Sequence, residues 1–361
     1  MKRIVFYILI NFTLPIFAQS PTEPIAVLSG HSNDVDAVSF SAQGFITTGS
    51  FDHKINIYKA DSPFALFKTL NGHMGPVNVL SFNNNGKLLA SGSEDRVIVL
   101  WDSLWRQSRR FEAHKDKINC LTFDQIGRYL YSGSDDKTMI VWDVLTGKQL
   151  KTINHGQAIN AIAPTNDIKF VYVAGAEPKI KLYHMLSNKV IKTLDGHTDA
   201  VNDIAITKDG KFLVSGSNDK TARVWDLTTG KQVRILPVDC WKVTTISISN
   251  DNKYVTTGCN DGSIKIWELA TGKLINSIDF TGSIARNVMF GKSNQQILAA
   301  FMLRNNTEYG LRIYESKIPL TPINDYTKIN VTASDTIKNV PTKGVKTPAL
   351  QNNKQNQQPK K

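Results

Sequence analysis

The stretch that decides this chain runs from Gly72 to Asp102. It holds Gly72-His73, a strand-like run from Val77 to Phe82, the tight phrase Ser91-Gly92-Ser93-Glu94-Asp95, and a second apolar run ending in Trp101-Asp102. The phrase returns as His114, Ser132-Gly133-Ser134-Asp135-Asp136 and Trp142-Asp143. It returns again as Gly196-His197, Ser215-Gly216-Ser217-Asn218-Asp219 and Trp225-Asp226. Weaker copies keep the register. The histidine position reads His31, His73, His114, His155, His197, Asp239 and Thr281, in steps of 41 or 42 residues. The tryptophan position reads Tyr58, Trp101, Trp142, Tyr183, Trp225, Trp267 and, after a longer turn, Tyr314. Alternating apolar and β-branched runs between Gly, Asn and Asp clusters predict half-buried strands. A fixed period of this length marks stacked units, each unable to bury its apolar face alone.

These residues resemble the WD40 repeat family, and the resemblance covers residues 25–315. It implies an all-β chain folded as a seven-bladed β-propeller of four-stranded antiparallel blades. The first strand, at residues 25–28, precedes the first full unit, and the last unit lacks a fourth strand after residues 288–290, 297–302 and 311–314. The resemblance implies that the N-terminal strand completes the last blade, and closure has a physical motive as well, since it leaves only short, protected sheet edges.

The resemblance also implies a hydrogen-bonded chain within each complete blade. It joins His73, Ser91, Asp95 and Trp101 in one unit, His114, Ser132, Asp136 and Trp142 in the next, and His197, Ser215, Asp219 and Trp225 in the fifth. Unit one has His31, Thr48 and Asp52 but ends in Tyr58. Unit six has Thr257, Asp261 and Trp267 but Asp239 for histidine. Unit four keeps His155 beside Ala174, Pro178 and Tyr183, and unit seven keeps almost none. Five of the seven histidines occupy the repeat position, each in a different unit, so they do not converge as zinc ligands would. A Ser-His-Asp set that recurs and ends on tryptophan reads as structure. Ser-Gly-Ser lacks the Gly-Lys-Ser/Thr of a phosphate loop. No catalytic residue, metal or cofactor is expected.

The two ends differ from the repeats. Lys2 and Arg3 precede an apolar run to Phe17, and Ala18-Gln19-Ser20 follows. Residues 1–18 thus have the layout of a secretory signal peptide, which predicts a periplasmic or extracellular protein. An uncleaved anchor is the alternative. Residues 316–361 hold eight Lys and two Asp with much Asn, Gln, Thr and Pro, and are expected to be a disordered basic tail. Of the chain's net +12, the tail carries +6 and Lys2 with Arg3 carry +2, which leaves +4 for residues 19–315. Such a tail can meet an anionic surface or remain solvated without a partner. Nucleic acid is disfavoured by the export layout and by the lack of aromatic–Arg interleaving. Cys120 falls on an inner strand as a small core residue, while Cys240 and Cys259 fall near one rim of unit six. A bridge between the latter pair is permitted in an oxidising compartment.

Loops on rigid blades carry function. By resemblance, the rim bearing the histidine loops is the face that takes peptides. The residue after the first apolar position of each inner strand is expected at the channel mouth there: Asp36, Asn78, Asn119, Asn160, Asn202, Thr244 and Arg286. The ring is either a water-lined mouth or part of a site. Trp241, Lys242, Thr244, Arg286, Arg304, Tyr309, Phe51 and Asp36 gather toward one arc, over units six, seven and one. Trp, Tyr and Arg are the types enriched at binding hot spots. Trp241 either meets a partner or folds back over its own blade. The function expected is a non-catalytic protein-binding or scaffold module, monomeric, with a protein or peptide docked on the rim. Two alternatives stay open: an enzyme with a channel active site, and a surface-attachment protein acting through its tail. Against the enzyme, the seven mouth positions include one carboxylate and no His or Cys.

Overall fold

A computed structural model of the chain describes residues 23–280, 282–303 and 309–319. Within them twenty-eight strands form seven four-stranded antiparallel sheets. The all-β, seven-bladed propeller read from the repeats is the fold observed. Blade one spans residues 35–71, blade two 77–112, blade three 118–154, blade four 159–194, blade five 201–236 and blade six 243–279. The first strands of neighbouring blades contact one another around the axis. Blade seven consists of Ser283–Phe290, Gln296–Leu303 and Gly310–Glu315, and its outer strand is Ala26–Ser29. That strand pairs antiparallel with Gly310–Glu315, placing Leu28 opposite Leu311, and Ile25 N donates to Ile313 O at 2.8 Å. The ring closes as the N-terminal strand predicted.

The core is not central. It is seven apolar layers, each lying between two neighbouring blades. The glycine of Ser-Gly-Ser follows from this arrangement. A Cβ on Gly133 would lie 2.5 Å from Ile159 Cγ2 of the next blade, and one on Gly92 would lie 2.7 Å from Ile118 Cγ2. No real Cβ approaches so closely, so only glycine lets the next inner strand seat. The flanking serines are fully buried. The chain remains packed slightly past its last strand: Ile318 joins the layer between blades six and seven, and its carbonyl accepts from Gln295 Nε2 at 3.3 Å.

Every inner strand carries a β-bulge at the same place. The register shifts across Val35/Ala37, Val77/Val79, Ile118/Cys120, Ile159/Ala161, Val201/Asp203, Val243/Thr245 and Ala285/Asn287. The skipped residues are the seven assigned to the channel mouth. A bulge leaves one residue unpaired and re-aims its side chain.

The face opposite the histidine loops has its own inter-blade ties. Asn84 Nδ2 donates to Gln125 O, Gln125 Nε2 to Asn166 Oδ1 at 2.8 Å, Asn166 Nδ2 to Lys208 O at 3.0 Å, and Lys208 Nζ to Asn250 Oδ1 at 2.8 Å. These residues sit in successive first-to-second-strand turns and hold those turns in one rim. Among the described residues no helix is long and apolar enough to cross a membrane. Residues 1–18 and 316–361, read as signal peptide and basic tail, lie outside the described residues apart from 316–319.

Candidate partner-binding rim

Three blades carry the full histidine chain. In blade two Trp101 Nε1 donates to Ser91 Oγ at 2.9 Å, His73 Nε2 lies 2.8 Å from the same oxygen, and His73 Nδ1 lies 3.0 Å from Asp95 Oδ2. Blade three repeats this with Trp142, Ser132, His114 and Asp136 at 2.9, 2.7 and 2.8 Å. Blade five does so with Trp225, Ser215, His197 and Asp219 at 2.8, 2.7 and 2.7 Å. A carboxylate only accepts, so His Nδ1 carries the proton and Nε2 is the natural acceptor for the serine hydroxyl. Burial lowers the pKa of His114 and His197 against the opposing pull of their aspartates. Burial also resists ionisation of Asp95, but donation from His73 and from the amides of Met74 and Val97 outweighs it and holds the carboxyl down to about 2.

Blades one and four replace parts of this chain rather than losing it. In blade one His31 bridges Asp52 at 2.9 Å and Thr48 at 2.8 Å, while Tyr58 Oη donates to Ser29 O at 2.9 Å in place of the tryptophan contact. In blade four His155 turns to Tyr183 Oη at 3.0 Å and Glu177 Oε1 at 2.9 Å, and Lys181 joins Glu177. Burial and the Lys181 ammonium push His155 well below the ordinary imidazole range. Glu177 was not singled out from sequence, because it stands outside the repeat's aspartate position.

Blade six uses a covalent bond. In blades three and five the second serine of the motif ties the histidine loop: Ser134 Oγ donates to Asp116 O at 3.0 Å and Ser217 Oγ to Asp199 O at 3.1 Å. Blade six has Cys259 at this place, and Cys259 is bonded to Cys240 of the loop, with Cα atoms 6.3 Å apart. The disulfide stands in a blade that lacks the histidine. It could have been found by aligning Cys259 with Ser134 and Ser217, and Cys240 with the residue after His197. Trp241 follows directly and is 78% exposed, so it does not fold back over its blade. Trp267 Nε1 still donates to Thr257 Oγ1 at 3.1 Å.

The mouth residues do more than line a channel. They border a cavity of about 470 Å³, and most tie one blade to the next. Asn119 Nδ2 donates to Ile159 O at 3.0 Å, Asn160 Nδ2 to Val201 O at 3.1 Å, and Asn202 Nδ2 to Val243 O at 2.7 Å. Asn78 reaches Ile118 O at 3.5 Å, and Thr244 Oγ1 donates to Ala285 O. Arg286 closes the ring by donating from Nε and Nη2 to the two oxygens of Asp36. Asp36 and Arg286, expected as open contacts, are committed to each other. Burial works against the Arg286 charge, but Asp36, Asp34 and Glu94 outweigh it and hold the guanidinium more basic than usual. Asp34, missed in sequence, also accepts from Leu303 N at 3.0 Å across the same seam. Of the arc, Lys242 is exposed at the mouth, Phe51 and Tyr309 are half-buried, and Arg304 lies outside the described residues.

A second tier lies deeper, and sequence reasoning overlooked it. Cys120 and Asp203 line the same cavity, so the count of one carboxylate and no Cys held only for the first ring. Cys120 packs against the apolar layer between blades three and four, as expected, and also borders the channel. Burial, then the nearby Asp203, push its thiol far up, which leaves little thiolate for chemistry. Burial raises Asp203 to about 6, although its oxygens accept from Ile246 N and Ile204 N at 2.8 Å and from Thr245 Oγ1 at 3.2 Å. Among the described residues no group of three or more His, Cys, Asp or Glu could hold a metal ion.

Comparison with known proteins bears on these repeats. A family model described as WD40: WD domain, G-beta repeat matches residues 22–59, 64–102, 105–143, 188–226 and 230–268. Part of the chain is 34% identical over 109 residues to a nuclear distribution protein nudF of Aspergillus terreus, covering 24% of each. Another is 60% identical over 37 residues to the periodic tryptophan protein 2 homolog of Schizosaccharomyces pombe, 10% of this chain and 4% of that protein. A third is 31% identical over 87 residues to the WD repeat-containing protein RUP1 of Arabidopsis thaliana, 24% of this chain and 23% of that protein. The chain thus spans at most 24% of the length of these relatives.

Proposed function

The chain belongs to the WD40 repeat family, and we propose that it acts as an exported, non-catalytic binding module that takes a protein or peptide on its histidine-loop rim. The observation that carries this is Trp241, a large aromatic side chain 78% exposed beside a disulfide that pins its loop. An exposed indole on a held loop loses little entropy on binding, and tryptophan is enriched among residues that dominate interface energy. Lys242 adds a cation next to it. Arg286 and Asp36 serve this site by holding the seam between blades seven and one.

Two features support export. The N-terminal layout is that of a signal peptide, and a disulfide persists best in an oxidising compartment. N-terminal sequencing of the mature protein is expected to begin at or near Gln19. A mature chain beginning at Met1 overturns cleavage.

The binding test is capture from the native envelope or extracellular fraction. Trp241→Ala is expected to weaken it by about 2 kcal/mol or more, as for a hot spot. Met74→Ala, an exposed residue of the same rim on blade two, is the control. Loss with Met74→Ala and not with Trp241→Ala would move the site to the other arc. The channel-enzyme reading has Asp203 in its favour. Against it, both Asp203 oxygens are occupied by donors and the Cys120 thiol is held protonated.

A further inference from the structure

We propose that the face opposite the histidine loops docks on an anionic lipid bilayer. Leu104, Leu145 and Leu186 occupy one position of the repeat in three consecutive blades, 41 residues apart. Each lies in the turn between the third and outer strands, and they are 61%, 80% and 85% exposed. Ile126, in the first-to-second-strand turn of blade three at the same end, is 72% exposed. Elsewhere the same turn position holds Asp61, Thr228 and Ala270. Scattered single leucines on a surface need no explanation. A row of three at one structural position, confined to neighbouring blades, does.

The row is rigid. Asp102 accepts from Leu104 N at 2.9 Å, and Asp143 accepts from Thr146 N at 2.7 Å. Arg109 of blade two donates to Val144 O at 3.2 Å and to Leu145 O, and Lys151 of blade three donates to Met185 O. With the turn backbones held by partners, the leucines are fixed knobs rather than mobile loop residues.

Cations accompany the knobs. Arg128, Lys148 and Lys169 are exposed in the turns of blades three and four, Lys189 is exposed where the outer strand of blade four begins, and Arg106 is exposed but paired with Asp102 at 2.7 Å. Asp124 is buried and accepts from Tyr129 N at 3.0 Å, and Asp167 accepts from Lys169 N at 3.2 Å. With Lys87, six cations stand in and beside these turns against Asp102, Asp124, Asp143 and Asp167, so the charge there is net basic. Apolar tips ringed by Lys and Arg match a bilayer interface, where the tips dip below the headgroups and the cations stay level with the phosphates. Separate protrusions across three blades suit a deformable surface; a folded partner would need a matching set of pockets. Docked this way, the propeller turns the Trp241 rim toward solution. The inference is independent of the partner reading.

The test is cosedimentation of the full chain with vesicles of phosphatidylcholine, with and without phosphatidylglycerol. The native chain is expected to bind the anionic vesicles, less so as salt rises. The triple variant Leu104→Ser, Leu145→Ser, Leu186→Ser is expected to lose at least about tenfold in partitioning, on the scale of partly burying three leucines. Met74→Ser, on the other face, should bind like the native chain. Equal melting curves establish that the triple variant is folded. Should it unfold, Leu186→Ser alone carries the test, with a loss of about threefold. The proposal fails if the native chain ignores anionic vesicles. It fails if the leucine variants bind undiminished, in which case a basic segment elsewhere does the work. It fails also if the variants instead abolish self-association seen by sedimentation, which would make the row an interface between copies.

Discussion

Arg286 and Asp36 stand 250 positions apart in sequence and share two hydrogen bonds across the seam where the ring closes. Five other bulged residues send one side-chain bond each to a backbone carbonyl of the next blade. Only this junction uses a bidentate ion pair among the seven bulge positions, and it joins the last blade to the first. A guanidinium and a carboxylate in fork geometry give both strength and orientation.

The first prediction concerns this pair. Asp36→Ala leaves Arg286 part-buried without its acceptor and should cost about 1–3 kcal/mol in urea unfolding. Asp36→Ala with Arg286→Ala should cost less than the sum of the single changes, with a coupling of about 1 kcal/mol or more. Strict additivity would mean that the pair does not hold the seam.

Asp219 and Asp251 form a second test. Asp219 accepts from His197 at 2.7 Å inside a complete chain, whereas Asp251 caps an exposed turn, accepting from Ser249 Oγ at 2.7 Å. Asp219→Ala should cost about 1–3 kcal/mol and Asp251→Ala under about 1 kcal/mol. Equal falls in Tm would remove the special role of the histidine chain.

Reducing the Cys240–Cys259 bond should lower stability by about 2–4 kcal/mol, read as a fall in Tm. Cys240→Ser with Cys259→Ser should recover part of this, because a serine at position 259 can donate to the loop as Ser217 Oγ does to Asp199 O. No recovery in the double variant relative to the reduced chain would argue that the hydrogen bond and the disulfide are not equivalent ties.

Removal of residues 23–29 should expose the edge of Gly310–Glu315, which Ala26–Ser29 now covers. Open edges template association. Size-exclusion chromatography is expected to show aggregates and a lower unfolding midpoint. An unchanged monomer would mean that the ring tolerates a three-stranded blade.

Stability should fall in acid. Asp52 and Asp95 are held down from 3.8 to about 2 in the folded chain. Their contribution is full above the unfolded value and is lost as pH falls through about 2. His114 and His197 are also lowered, so below about 6.5 the unfolded chain binds protons first and the loss has the same sign. Asp203 works oppositely. Its pKa is raised to about 6, so its ionised form weighs on the folded state above that value and the burden lifts as pH falls toward 4. A carboxyl chemical-shift titration should place Asp203 near 6 and Asp95 near 2.

What the sequence determined by itself is the repeat and everything that repeats with it. Blade number and strand order could be read because each unit is a local phrase recurring at a fixed step, and the resemblance that the phrase carries implied ring closure by the N-terminal strand and the His–Ser–Asp–Trp chains. One clear copy of that phrase predicts the others. Tertiary structure decided what depends on a neighbouring blade. The alternation of an inner strand does not reveal a bulge, so Asn119, Asn160 and Asn202 read as mouth residues and turned out to be inter-blade ties as well. Arg286 read as an open contact for the same reason, since its partner Asp36 comes from the far end of the chain. Asp203 and Cys120 were overlooked because one ring of positions was counted and the channel has depth. The disulfide sat between these cases: the register pointed to it, but only the approach of loop and strand end, with Cα atoms 6.3 Å apart, could decide it. Period and pattern are properties of one strand at a time, whereas pairing across a seam is a property of the closed ring.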